Sequence, residues 1–151
     1  MGVYRASWSI VGVNTADQVL FNLKTAAGAR ATLRAAGMFI TTAPTSAPQF
    51  ALKRMLAVGT GAITSATPML SDIADGVAAA GLETAWATTR PTVTGGYGAL
   101  ASVANAIGNG IIFDFTVRGI IVPVSAGVCG VISNASGATV GAHNGWIEWE
   151  E

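Results

Sequence analysis

The feature that most constrains this chain is a recurrent alternation of apolar and polar residues with a period of two. That spacing sends successive side chains to opposite faces of a strand. Tyr4, Ala6, Trp8 and Ile10 share one face, and Arg5, Ser7 and Ser9 the other. Val19, Phe21 and Leu23 alternate with Gln18, Asn22 and Lys24, although Leu20 breaks the pattern. Arg30, Thr32 and Arg34 oppose Ala31, Leu33 and Ala35, and the run continues to Ile40 through Gly37, where a glycine predicts a bulge or a bend. Phe50, Leu52, Leu56 and Val58 alternate with Ala51, Lys53, Met55 and Ala57. That phase puts Arg54 on the apolar face, where it needs a partner or a route to water. Thr84, Trp86 and Thr88 oppose Ala85 and Ala87, and Ile111, Phe113, Phe115 and Val117 oppose Ile112, Asp114, Thr116 and Arg118. Val128, Gly130 and Ile132 make another short strand, and Trp146-Ile147-Glu148-Trp149-Glu150-Glu151 closes the chain in alternation.

Between these runs lie the breakers. Pro44, Pro48, Pro68 and Pro91 mark strand ends, since proline cannot donate to a ladder. Gly108-Asn109-Gly110 is a strong turn signal, and Gly119 to Ile132 reads as strand, turn, strand around Pro123 and Gly127. Ser65 to Leu82 reads as a long connection, with a short helical turn expected near residues 71–80, where Asp72 and Asp75 sit at the positive end. Ala99 to Ile107 is open between helix and strand. The total is roughly nine or ten short strands, with no alternation of strand and helix and no fixed repeat. An antiparallel sandwich or barrel is therefore expected, as one domain over residues 1–151, with the first and last strands paired.

Charge then limits function. Asp, Glu, Lys and Arg make up 11% of the chain, less than half of the usual value of about 25%. None falls between Gly119 and Ile147, and the formal net charge is 0. The two Lys and six Arg are scattered, so no basic face for nucleic acid is expected. The longest apolar stretch, Gly119 to Ile132, is interrupted by Pro123, Ser125 and three glycines, so no membrane span is expected, and the N-terminus lacks a signal-peptide pattern. A soluble cytosolic product is the expectation.

Catalytic signals are equally thin. Cys129 and His143 are each the sole residue of their type. The first reads as an inert buried thiol, the second as an exposed residue of a hairpin turn. No serine sits in a nucleophile elbow, Gly59-Thr60-Gly61 lacks the Lys of a phosphate loop, and Asp72 and Asp75 are better explained by capping than by a metal. Asn134-Ala135-Ser136 matches a glycosylation sequon by chance. Glu148 and Glu150 share a face with Trp146, as solvated charges do. The expectation is no catalytic residue, no metal and no cofactor. The residues that remain are aromatic: Trp8, Trp86, Tyr97, Trp146 and Trp149 are the candidate interface anchors, and Tyr97 in its Gly-rich loop is the best placed to face outward.

Several stretches resemble small jelly-roll (TNF-like) virion proteins of tailed bacteriophages. They are Trp8-Ser9-Ile10-Val11-Gly12-Val13, Ala36-Gly37-Met38-Phe39-Ile40-Thr41-Thr42, Arg54 with Val58-Gly59-Thr60, Gly119 to Gly127, and the closing Trp146 to Glu151. The resemblance spans most of the chain and carries fold signatures without a site. It implies an antiparallel two-sheet jelly roll. It also implies a head decoration or cement protein, a cyclic homo-oligomer expected to be a trimer, with the major capsid protein or other virion proteins as partners. The virion, assembled in the host cytoplasm, is the implied location. The alternative is a carbohydrate-binding or receptor-binding domain of a phage fibre or tail. A hydrolase with an unrecognised pair of facing carboxylates is a third reading.

Overall fold

The computed structural model describes residues 2–10, 18–71, 76–96, 98–115, 117–133 and 141–151. Among them are thirteen strands and no helix. In chain order they are β1 (Val3–Ile10), β2 (Gln18–Thr25), β3 (Ala31–Ile40), β4 (Gln49–Ala57), β5 (Ile63–Ala66), β6 (Met69–Leu70), β7 (Ala80–Trp86), β8 (Thr92–Val93), β9 (Ala99–Ser102), β10 (Gly110–Asp114), β11 (Ile120–Val122), β12 (Gly127–Ser133) and β13 (His143–Glu150). They form two antiparallel sheets. The first runs β10-β3-β13-β1-β6, with β11 beside β10 on the same edge of β3. The second runs β5-β7-β2-β12-β4-β8, with β9 also on β4.

Sequence neighbours β1, β2, β3 and β4 fall alternately in the two sheets, and each pairs with a strand distant in sequence. β1, β13, β3 and β10 thus face β2, β12, β4 and β9, the double Greek-key winding of a jelly-roll sandwich. The expected pairing of the first and last strands is present, from Val3 opposite Glu150 to Ile10 opposite His143. The aromatic core joins the sheets: Trp8 of β1 lies 5.5 Å from Phe21 of β2, and Phe50 of β4 meets the ring of His143 of β13 at 5.6 Å. Within the first sheet, Tyr4 stacks on Trp149 at 5.8 Å.

The alternation predicted for β1 holds: Tyr4, Ala6 and Trp8 are buried while Arg5, Ser7 and Ser9 are exposed. In β2 the misfit residue is the informative one. Gly130 pairs with Phe21 but Val131 pairs with Val19, so Leu20 is the extra residue of a β-bulge. Leu20 and Phe21 both enter the main core, and Val19 turns outward to join Cys129 and Val131 in a second cluster. The sequence phase that put Val19 beside Phe21 is thereby corrected. Phe21 fits because β12 presents Gly130 beneath it; a Cβ there would overlap the ring. The bulge in β3 falls at Arg34, between the pairs Glu148 with Ala35 and Trp149 with Leu33, and not at Gly37. Gly37 instead leaves room for Trp146, whose Nε1 lies 2.7 Å from where a Cβ would stand.

Other expectations need correction too. β5 and β6 occupy part of what reads as a long connection. Residues 72–75, most of the expected helical turn, lie outside the described residues; residues 76–79 hold no helix and β7 begins at Ala80. Ala99 to Ser102 is strand. Leu56, Val58 and Val117 continue an apolar phase in sequence but lie past the end of the core, at 72%, 49% and 90% exposure. His143 is not a turn residue: it opens β13 and is buried.

Candidate functional site

Pairing register sets out the outer face of the first sheet. One row crosses it as Ile112, Gly37, Trp146 and Ser7, and the next as Gly110, Phe39, Asn144 and Ser9. A third row runs Asp114, Ala35, Glu148, Arg5 and Met69. Strand periodicity explains the mix, because every inward Trp or Ile on β1 and β13 leaves an outward Ser, Asn, Trp or Glu beside it. A depression of about 540 Å³ lies here, lined by Ser7, Trp8, Ser9, Phe39, Asn144, Gly145 and Trp146.

Two ion pairs lie on this face. Arg5 donates to Glu148 at 2.7 Å, and its guanidinium carbon sits 4.8 Å from the centre of the Trp146 ring. Arg34, carried outward by its bulge, pairs with Glu150. Glu148 and Glu150 are therefore ion-paired and do not form the solvated acidic strip that the sequence suggests. What the face offers a partner is a flat strip of Trp146, Phe39 and Ile112, edged by hydroxyls, an amide and paired charges.

The candidate anchors separate sharply. Trp8 and Trp149 are core side chains, at 4% and 0% exposure, and Trp8 only borders the depression. Trp146 faces outward on the first sheet. Trp86 is half-buried on the outer side of the second sheet, against Val19, Cys129 and Val131. Its Nε1 points to Glu83 Oε2 at 3.4 Å. Glu83, 7% exposed, also accepts from Asn22 Nδ2 at 2.9 Å and Lys24 Nζ at 3.2 Å. Trp86 is thus a strut, held by a buried carboxylate. Tyr97 lies outside the described residues.

The two residues most suited to chemistry are both withdrawn from solvent. Burial, and secondarily the charge of Glu83, pushes the Cys129 thiol up to about 12, so it stays protonated at neutral pH. Burial lowers His143 to about 4 against the opposing effect of a hydrogen bond to the Gly141 backbone. Among the described residues no three His, Cys, Asp or Glu are placed to hold a metal ion, and no helix is long and apolar enough to cross a membrane.

Ser7 and Ser9 were legible as the outward phase of β1, whereas Asn144 read as part of a hairpin turn and in fact lies in β13. Phe39 and Ile112 were not recognisable as their neighbours, because the lateral order of β10, β3 and β13 is a long-range property that no local spacing encodes. Comparison of the chain with known protein families, curated proteins and solved structures finds no match to any of them.

Proposed function

We propose that the chain is a non-enzymatic structural protein of a tailed-bacteriophage virion, a decoration or cement protein that self-associates around a cyclic axis as a trimer and stabilises the head by binding the major capsid protein. The observation that carries this reading is the surface. Twelve large hydrophobic side chains of the described residues are 38% exposed or more, among them Met69 at 74%, Ile107 at 69% and Leu56 at 72%. Charged residues are only 11% of the chain and its net charge is 0, so this surface has little electrostatic protection against association. Permanent interfaces have this apolar character, and the jelly-roll winding agrees with the resemblance noted in the sequence. The experiment is sedimentation velocity over a wide concentration range, followed by co-sedimentation with phage heads that lack the protein. A trimer that saturates the heads supports the reading. A monomer at all concentrations that ignores the heads refutes it.

The depression beside Trp146 favours a second reading, as the glycan-binding domain of a fibre or tail. A sugar there would pack against Trp146 and Phe39 and hydrogen-bond with Ser7, Ser9 and Asn144. Arg5 already lies over the Trp146 ring and would have to swing aside, which ranks this reading second. A glycan array with the wild-type chain and Trp146→Ala separates the two: no glycan bound by the wild type removes it.

A further inference from the structure

The two sheets do not meet flush along the edge where β4 of one approaches β11 of the other. A cavity of about 390 Å³ opens there, lined by Leu52, Arg54, Gly98, Ile120, Ile121 and Val128 among others. Its floor belongs to the core, since Leu52 is 1% and Val128 2% exposed. Beside it, two backbone bonds tie the segment before β9 to β4: Gly98 N donates to Leu52 O at 2.7 Å, and Thr94 N to Arg54 O at 2.9 Å. The volume falls within the range of small-molecule sites, which are mostly apolar with a few placed polar groups.

Two cationic residues border the cavity: Lys53 belongs to the outward phase of β4, opposite Cys129, and Arg54 stands at the mouth. Arg54 is on the inward phase of β4 but beyond the packed core, and its side chain is exposed. Among the described residues its side-chain contact is a single hydrogen bond, from Nη1 to the carbonyl oxygen of Ile121 at 2.6 Å, with no carboxylate in ion-pairing range. That bond fixes the guanidinium beside the opening and leaves its other N–H groups unused. Arg5 and Arg34, by contrast, are matched with glutamates. An apolar chamber with a fixed, unmatched guanidinium at its entrance is complementary to an apolar tail that carries one anionic head.

We propose that this cavity binds a medium-chain carboxylate, the tail lying against Leu52, Ile120 and Val128 and the carboxylate on Arg54. A planar carboxylate accepts two parallel N–H groups of a guanidinium, which an alcohol cannot do. Its lining shares no residue with the depression beside Trp146.

Calorimetric titration of the full chain with sodium decanoate and with decanol tests it. Decanoate binds saturably, and each methylene added between hexanoate and decanoate tightens binding about fourfold. Arg54→Gln weakens decanoate about tenfold or more and leaves decanol within a factor of about two. Gly98→Phe abolishes both, because a Cβ at Gly98 stands 3.5 Å from Leu52 O and 3.6 Å from Ile120 Cδ1, and the rest of the ring must enter the cavity. Absence of saturable decanoate binding overturns the proposal. So does an Arg54→Gln variant that binds decanoate as the wild type does, and this exposed substitution decides the matter if Gly98→Phe does not fold.

Discussion

His143 should make the stability of this protein fall in mild acid, and the size of the fall follows from where the ring sits. The residue is 1% exposed, packs edge-on against Phe50, and lies between Ile40 and Ile10 in the first sheet. Its Nε2 finds no hydrogen-bond partner among the described residues. A proton added there would be a buried charge with nothing to receive it. The folded chain accordingly holds His143 neutral down to about 4, against 6.5 for an ordinary histidine. Because the folded value is the lower one, the unfolded chain binds the proton first as pH drops. Stability is whole above 6.5, declines between 6.5 and about 4, and loses no more from this residue below that. The linkage integral gives a loss of about 2 kcal/mol at pH 5 relative to pH 8, approaching about 3 kcal/mol below pH 4.

Carboxylates also titrate in this window, so the assay is a difference. Urea denaturation of the wild type and His143→Phe, followed by tryptophan fluorescence, gives two curves of stability against pH. The carboxylates are common to both and cancel. The variant starts lower, by about 1 kcal/mol for the lost hydrogen bond to the Gly141 backbone, and the gap closes or reverses by pH 5. The chain has one histidine, so an NMR titration of its ring proton is unambiguous. A gap that stays constant from pH 8 to pH 5, or a ring proton that titrates near pH 6.5, refutes the reasoning.

Three other outcomes follow from particular contacts. Gly130→Ala overpacks the Phe21 ring and destabilises by about 1–3 kcal/mol; in the Phe21→Leu background the same change costs less, and additive losses by denaturant unfolding would sink the argument. The Glu151 carboxylate accepts from Ala79 N at 2.7 Å, Ala80 N at 2.9 Å and Trp149 Nε1 at 2.8 Å, so Glu151→Ala speeds hydrogen exchange at residues 79 and 80 and lowers stability by about 1–2 kcal/mol. Cys129, buried and held protonated, reacts with a thiol reagent at the rate of unfolding and not faster; prompt labelling of the native chain contradicts its placement.

Strand identity was local and therefore legible. Trp8 and Ser7, or Ile147 and Glu148, announce their opposite faces by spacing alone, and Gly108-Asn109-Gly110 announces its turn. Where the sequence misled, a long-range fact intervened. Leu20 looked like noise in β2 until its place opposite the Gly130–Val131 step made it the extra residue of a bulge, which reversed the face of Val19. His143 looked like turn material between Ala142 and Asn144-Gly145, yet β13 begins with it because Ile10 and Ile40 flank it on both sides. Leu56, Val58 and Val117 kept the apolar rhythm of their strands after the opposite sheet had ended. No pattern within a strand records where its partner sheet stops.

That last failure bears on function. An apolar residue beyond the core is a cost to a lone chain, since its surface stays in water at about 25 cal/mol per Å² that burial would recover. Exposed single hydrophobics are ordinary, but here they coincide with a shortage of charge. The charges that exist are largely committed within the chain: Arg5 to Glu148, Arg34 to Glu150, Lys24 to Glu83, and Glu151 to backbone and Trp149. A surface so arranged gains from being covered and presents few free charges to be stripped of water when it is. Arg54 is matched by a carbonyl and not by an acid, at the mouth of a cavity between the sheets at the β4 and β11 edge. If Arg54→Gln changed neither ligand binding nor assembly, that exposed charge would be incidental, and the apolar surface alone would have to account for recognition.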